Sequence, residues 1–147
     1  MRIHLGLVQT KGNQPMGSNI LYIEDNPDNR TLVKRLLESR GYTLLFAMDG
    51  LTGISMAENE EVDLILLDIN LHDIDGYEVA RRIRKSEKKA ALACLPIIAV
   101  TANALQGDAK KAISAGCDAY MSKPIDIYEL WARVESFLPP PIPLNKS

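Results

Sequence analysis

Four consecutive aliphatic residues, Leu64-Ile65-Leu66-Leu67, run directly into Asp68, and a second segment, Ile20-Leu21-Tyr22-Ile23, runs into Glu24-Asp25 in the same way. An apolar run of this length, bounded by turn-forming residues, reads as a strand covered on both faces of a sheet. Charge at the carboxyl end of such a strand lands at the rim of an open α/β sheet, where that architecture binds ligands. Two acidic strand ends in one small domain therefore point to a single acidic pocket. At an effective dielectric near 20, two carboxylates about 4 Å apart repel by roughly 4 kcal/mol. A cluster of three shifts its own ionisation or recruits a divalent cation.

Strand and helix signals alternate five times along the chain. Strands are expected at Ile20–Glu24, Thr43–Ala47, Leu64–Asp68, Ile97–Thr101 and Ala119–Ser122. The first helix has Asn26 as its cap, Pro27 at its first position, Leu32, Val33, Leu36 and Leu37 as its apolar face, and Gly41 as its stop. The second is expected from Leu51 to Asn59. The third opens near Asp75 and presents Tyr77, Ala80 and Ile83 at helical spacing. The fourth offers only Leu105, Ala109, Ala112 and Ile113 before Gly116, a thin apolar stripe. In the fifth, Asp126 and Glu129 are spaced as a capping pair ahead of Ile127, Leu130, Trp131, Val134 and Leu138. Strict alternation with short links implies parallel strands joined by right-handed crossovers. The expected fold is α/β, a doubly wound five-stranded parallel sheet.

At 147 residues the chain suits one such domain. Residues 19–138 are expected to form it, with 1–18 an N-terminal extension or linker and 139–147 a proline-rich tail or linker. Lys11 to Ser18 is polar and turn-rich, Ile3–Val8 has strand character with no identifiable partner, and Leu138-Pro139-Pro140-Pro141 cannot continue a helix. The net charge of -2 argues against a nucleic-acid surface. No stretch reaches the roughly 20 apolar residues of a membrane span, no secretory leader is evident, and the cytoplasm is the expected compartment. Cys94 and Cys117 lack metal-ligand spacing and read as small buried side chains.

Polar residues close four of the five strands: Glu24 and Asp25 the first, Asp68 the third, Thr101 the fourth, and Lys123 with Pro124 the fifth. Each alone has an ordinary reading. Asp25 serves as a helix-entry residue, Thr101 as a turn cap, and Lys123 as a solvated lysine. Jointly and in this order they are far more specific. Residues from about Asn19 to Leu138 resemble the receiver domain of two-component response regulators. The segments carrying the resemblance are Glu24-Asp25-Asn26, Leu67-Asp68-Ile69-Asn70-Leu71 with Asp73-Ile74-Asp75-Gly76-Tyr77, Ala99-Val100-Thr101-Ala102, and Ser122-Lys123-Pro124.

The resemblance implies a flavodoxin-like (βα)5 fold with strand order 2-1-3-4-5, which makes Asp25 and Asp68 neighbours. It implies that Asp68 accepts a phosphoryl group from a histidine kinase or a histidine phosphotransfer protein. It also implies Mg²⁺ held by Asp25, Asp68 and the Asn70 carbonyl, with Glu24 acting through water. Lys123 would contact a phosphate oxygen, Thr101 and Tyr120 would form the switch, and the bond before Pro124 would be cis. A downstream effector would read the face of the fourth helix, fifth strand and fifth helix, and a homodimer is compatible with that face.

One departure is visible. His72 stands where receivers commonly have proline, and it reads as a solvated loop residue. Asn70 and Asn103 occupy positions that tune phosphoryl lifetime in similar proteins. Two other classes stay open: a receiver-like binding module that acts without phosphorylation, and a haloacid-dehalogenase-type phosphatase. The phosphatase needs a second acid two residues beyond its nucleophile, where this chain has Asn70. The expected protein is not an enzyme, save for turning over its own aspartyl phosphate.

Overall fold

The computed structural model describes residues 19–102 and 107–140. Five strands alternate with five helices: β1 Asn19–Ile23, α1 Pro27–Glu38, β2 Thr43–Ala47, α2 Gly50–Asn59, β3 Leu64–Asp68, α3 Gly76–Ala90, β4 Ile97–Thr101, α4 Asp108–Ala115, β5 Ala119–Ser122 and α5 Ile127–Phe137. All pairings are parallel, in the order β2-β1-β3-β4-β5. This is the doubly wound arrangement that the alternation predicts.

The two-residue period of the strands feeds two cores. Ile20, Tyr22, Leu64, Leu66 and Ile98 pack with Val33 and Leu37 of α1 and Leu130 and Val134 of α5. Leu21, Ile23, Ile65, Leu67 and Ile97 pack with Ala57 of α2, Val79, Ala80 and Ile83 of α3, and Ala112 of α4. Every residue of β3 and β4 is buried, so these strands read as continuous apolar runs, whereas the edge strand β2 mixes exposed and buried positions. Each fully buried Leu or Ile contributes about 1.5–3 kcal/mol relative to exposure.

Local chemistry sets the helix ends. The Asn26 side chain accepts from the backbone N–H groups of Asp28 and Asn29 to open α1, and Asp75 and Asp126 cap α3 and α5 in the same manner. Glu129 does not complete a reciprocal pair with Asp126; it turns to Arg133, 3.5 Å away. Among the described residues α4 buries only Ala112 and Ala115, and Ile113 is half exposed. Leu32 is likewise exposed rather than core. Cys94 is exposed, against expectation, because the link from α3 to β4 turns Leu95 inward instead; Cys117 is buried. Residues 1–18, Asn103, Leu105 and the tail beyond Pro140 lie outside the described residues. Among the described residues no helix is long and apolar enough to cross a membrane.

Two clasps hold the layers. Arg84 donates to the Gly116 carbonyl, to Glu87 and to Asp118, each at 2.8 Å, tying α3 to the end of α4 and the start of β5. On the other face Arg40 pairs with Glu135 and lies 4.5 Å over the Trp131 ring, while Trp131 Nε1 donates to the Leu36 carbonyl. These contacts lock the end of α1 onto α5.

One glycine sits directly against the carboxyl end of β3. A Cβ on Gly76 would lie 2.6 Å from Ile69 Cα and 2.7 Å from the Asp68 carbonyl oxygen. Both are backbone atoms and cannot rotate aside, so the start of α3 approaches β3 this closely only because residue 76 has no side chain. Gly76→Ala is expected to destabilise the fold by about 1–3 kcal/mol in urea unfolding, and an unchanged midpoint would contradict this packing.

Candidate functional site

The register of the central strands builds the site. Ile23 pairs with Leu67 across β1 and β3, so Glu24 and Asp68 emerge side by side at the carboxyl rim, with Asp25 entering the turn to α1. One carboxylate oxygen from each of Glu24, Asp25 and Asp68 falls within 4.8 Å of the others. Lys123 follows β5, and its peptide bond to Pro124 is cis. Its ammonium reaches across the end of β4 to lie 3.2 Å from Asp68 Oδ1 and 3.6 Å from Glu24 Oε1. One cation thus stands among three carboxylates.

The three acids differ in how they are satisfied. Buried Glu24 is surrounded by donors: Tyr22 Oη at 3.0 Å and Asn29 Nδ2 at 3.3 Å on Oε1, and the Asn26 N–H at 3.0 Å on Oε2. Asp68 is also buried, and its Oδ1 accepts from the Asn70 N–H at 3.1 Å as well as facing Lys123. Asp25 is the exception. His72 Nδ1 lies 2.8 Å from Asp25 Oδ2 but without hydrogen-bond direction, so this buried oxygen accepts no hydrogen bond. His72 is exposed, as its loop position suggests, yet it touches the acid cluster rather than solvent alone. An oxygen-only donor set, excess negative charge and an unpartnered carboxylate oxygen fit a hard divalent cation such as Mg²⁺.

Thr101 closes β4 in register with Ser122, and its hydroxyl donates to Asp108 Oδ2, 2.7 Å away at the start of α4. Tyr120 in β5 packs partly buried against the core beneath α2, α3 and α4. Asn70 is exposed beside Asp68. The structure therefore gathers Glu24, Asp25 and Asp68 within 4.8 Å of one another and sets Lys123 against Glu24 and Asp68, with Thr101 on the adjoining strand end. A depression of about 180 Å³, lined by Asn29, Leu32, Lys123, Pro124 and Ile125, opens beside them. The larger groove, about 610 Å³ between α2 and α3, holds none of these residues.

Several residues of the site are not evident from sequence. Tyr22 precedes Glu24 by two positions on a strand, which places both on one face, and that spacing is the available signal. Asn29 follows the Asn26 cap by three residues, one turn away. Asp108 meets Thr101 only through the fold. Asp73 bridges elements as well: its carboxylate accepts from the N–H groups of Gly50 at 2.8 Å and Leu51 at 2.9 Å, anchoring the loop after Asp68 to the start of α2.

Known proteins share this arrangement. Residues 20–135 match the model of the response regulator receiver domain. The polar-differentiation response regulator DivK of Brucella ovis is 36% identical over 123 residues, covering 84% of this chain and 98% of that protein. Among solved structures, the receiver domain of the sensor histidine kinase PA1611 from Pseudomonas aeruginosa, with a magnesium ion coordinated in its active-site cleft, is 40% identical with a TM-score of 0.73, covering 82% of this chain and 97% of that one. The receiver domain of Saccharomyces cerevisiae Ssk1, solved with the histidine phosphotransfer protein Ypd1, is 28% identical with a TM-score of 0.77, covering 81% of this chain and 87% of that one. The chain belongs to the receiver domain family of two-component response regulators.

The Asp73 anchor has a defined pH signature. Desolvation raises its carboxyl, but the N–H groups of Gly50, Leu51, Ile74 and Asp73 itself together outweigh that and hold it below its ordinary 3.8. A depressed carboxyl stabilises the fold fully above its unfolded value and loses that contribution as pH falls through the folded one. Wild type is therefore expected to exceed Asp73→Asn in stability by a constant margin at neutral pH, with the margin closing below about pH 4. Urea melts across that range check it; a margin that grows on acidification would contradict the assignment.

Proposed function

We propose that this chain is a phosphoacceptor module, with Asp68 taking a phosphoryl group from a phosphohistidine on a sensor histidine kinase or a histidine phosphotransfer protein. The observation carrying this reading is the convergence of Asp68, Asp25 and Lys123 at one sheet rim. A carboxylate oxygen of Asp68 forms the new O–P bond while the P–N bond breaks, its electron pair leaving on the imidazole. Asp25, Asp68 and the Asn70 carbonyl would hold Mg²⁺, which would supply positive charge to the transferring oxygens. Lys123 exchanges its contact with Asp68 for one with a phosphoryl oxygen, and Glu24 stays with its protein donors. The depression flanked by Leu32 and Ile125 opens onto Lys123 and offers a donor protein a place to dock beside the site. The module turns over no substrate beyond its own aspartyl phosphate, and it works in the cytoplasm. Residues 19–138 constitute it, with 1–18 an N-terminal extension or linker and 139–147 a proline-rich tail or linker.

The output reading follows from Thr101. Its hydroxyl is held by Asp108 in the structure, so reaching a phosphoryl group on Asp68 requires giving up that bond at the start of α4. Release there, coupled to an inward move of Tyr120, changes the surface of α4, β5 and α5 that an effector or a second copy would read.

Incubation with acetyl phosphate and Mg²⁺ should add one phosphoryl group to the wild-type chain by intact mass and none to Asp68→Asn; full labelling of the variant would sink the proposal. Asp25→Ala should weaken Mg²⁺ binding more than Glu24→Ala in calorimetric titration, because Asp25 has the unmet oxygen, and equal losses would count against it. Thr101→Ala should still accept phosphate yet fail to alter amide exchange across residues 107–122. One hydrogen bond to a charged phosphate is worth about 1.5–3 kcal/mol, enough to move populations roughly ten- to a hundredfold. Identical responses in wild type and Thr101→Ala would place the switch elsewhere.

A further inference from the structure

Tyr22 is a fully buried tyrosine flanked in β1 by the aliphatic Leu21 and Ile23. Ile20, Leu64, Leu66 and Ile98 surround it on the α1/α5 face, where phenylalanine would fill the same volume. What phenylalanine would lack is the hydroxyl, and that hydroxyl donates to Glu24 Oε1 at 3.0 Å. A buried phenol needs a partner, and an ionised carboxylate is a strong one. Burial, and then the Glu24 carboxylate, push the Tyr22 hydroxyl far above its ordinary ionisation range, so it serves as a neutral donor.

We infer that Tyr22 is a positioning residue of this site: its hydroxyl fixes Glu24 so that Glu24 holds Lys123 over Asp68. The inference rests on the phosphoacceptor reading above and deepens it. Glu24 is gripped from three rigid places, namely Tyr22 inside β1, the Asn26 N–H in the helix cap and Asn29 in α1. Its fourth neighbour is the Lys123 ammonium, 3.6 Å away at the end of a long, partly exposed side chain. During transfer the ammonium must leave Asp68 Oδ1 for an oxygen of the incoming phosphoryl group, and a fixed Glu24 gives it a constant anchor. With the Tyr22 hydroxyl removed, a buried oxygen is left short of a donor and the ammonium 3.6 Å away is the nearest replacement. Lys123 is then drawn onto Glu24 and off the path to the phosphoryl group.

The test uses the full chain with acetyl phosphate at saturating Mg²⁺, following the phosphorylated fraction by intact mass. In that reaction a carboxylate oxygen of Asp68 bonds to phosphorus while the P–O bond to acetate breaks, acetate leaving with the electron pair. Tyr22→Phe is expected to slow phosphorylation about tenfold, the scale of one hydrogen bond to a charged group. Its Mg²⁺ dissociation constant should stay within about twofold of wild type, since Asp25 and Asp68 are untouched. In a Lys123→Ala background the same substitution should change the slow residual rate by less than about twofold. Asn29→Ala, which removes a second donor to Oε1 from a less buried position, should slow the reaction in the same direction and decides the matter if Tyr22→Phe does not fold. An unchanged rate in Tyr22→Phe, or equal slowing with and without Lys123, would overturn the inference and leave the phosphoacceptor reading standing. A wild-type chain that takes no phosphate would overturn both.

Discussion

A single ammonium, Lys123, faces two buried carboxylates, Glu24 and Asp68, with Asp25 beside them. One positive charge cannot balance three negative ones, and at these separations each uncompensated pair costs several kcal/mol at an effective dielectric near 20. The rest of the molecule is organised around tolerating that imbalance. Glu24 is stabilised by fixed donors from β1, the helix cap and α1, and Asp68 by the Asn70 N–H. Asp25 keeps a fully buried oxygen with no donor. The imbalance is what suits the site to a divalent cation and to an incoming phosphoryl group.

Such a cluster needs rigid support, and the parallel sheet provides it. β1, β3 and β4 are buried on both faces, so their carboxyl ends are fixed by packing in two cores. Gly76 lets α3 close against the Asp68 carbonyl, and Asp73 anchors the following loop to α2. The opposite behaviour is found at α4, which buries only two alanines among its described residues and is tied at its far end through Arg84 and Gly116. Weak apolar burial near the site and a firm tether away from it leave the start of α4 lightly held. The proposed path from Thr101 through Asp108 to α4 uses that contrast.

Much of this architecture is legible in the residues. The run Leu64–Asp68 and its counterpart Ile20–Asp25 signal buried parallel strands because full burial on two faces leaves no room for alternation. Helix starts at Asn26, Asp75 and Asp126 are marked by side chains that must accept backbone N–H groups. The acids and Lys123 stand out because a charge closing an apolar strand is costly to bury unless it meets a partner or a ligand at the sheet rim. What the chain conceals is contact between distant elements. Asp108 meeting Thr101, Asp73 meeting Gly50 and Leu51, and His72 meeting Asp25 depend on loop paths that no periodicity encodes. Cys94 misleads for a related reason: a small apolar side chain beside Leu95 gives no sign of which of the two turns inward.

The central claim is that the strand-end acids divide their labour, with Asp25 and Asp68 open to a cation and Glu24 committed to Tyr22 and Lys123. A crystal structure with Mg²⁺ and beryllofluoride tests it most directly. The expected result is beryllium on Asp68, carboxylate oxygens of Asp25 and Asp68 at about 2.1 Å from the ion, and Lys123 turned to a fluoride with Glu24 still bonded to the Tyr22 hydroxyl. An ion ligated by Glu24 with the Tyr22 bond broken, or an adduct on any other residue, would contradict it.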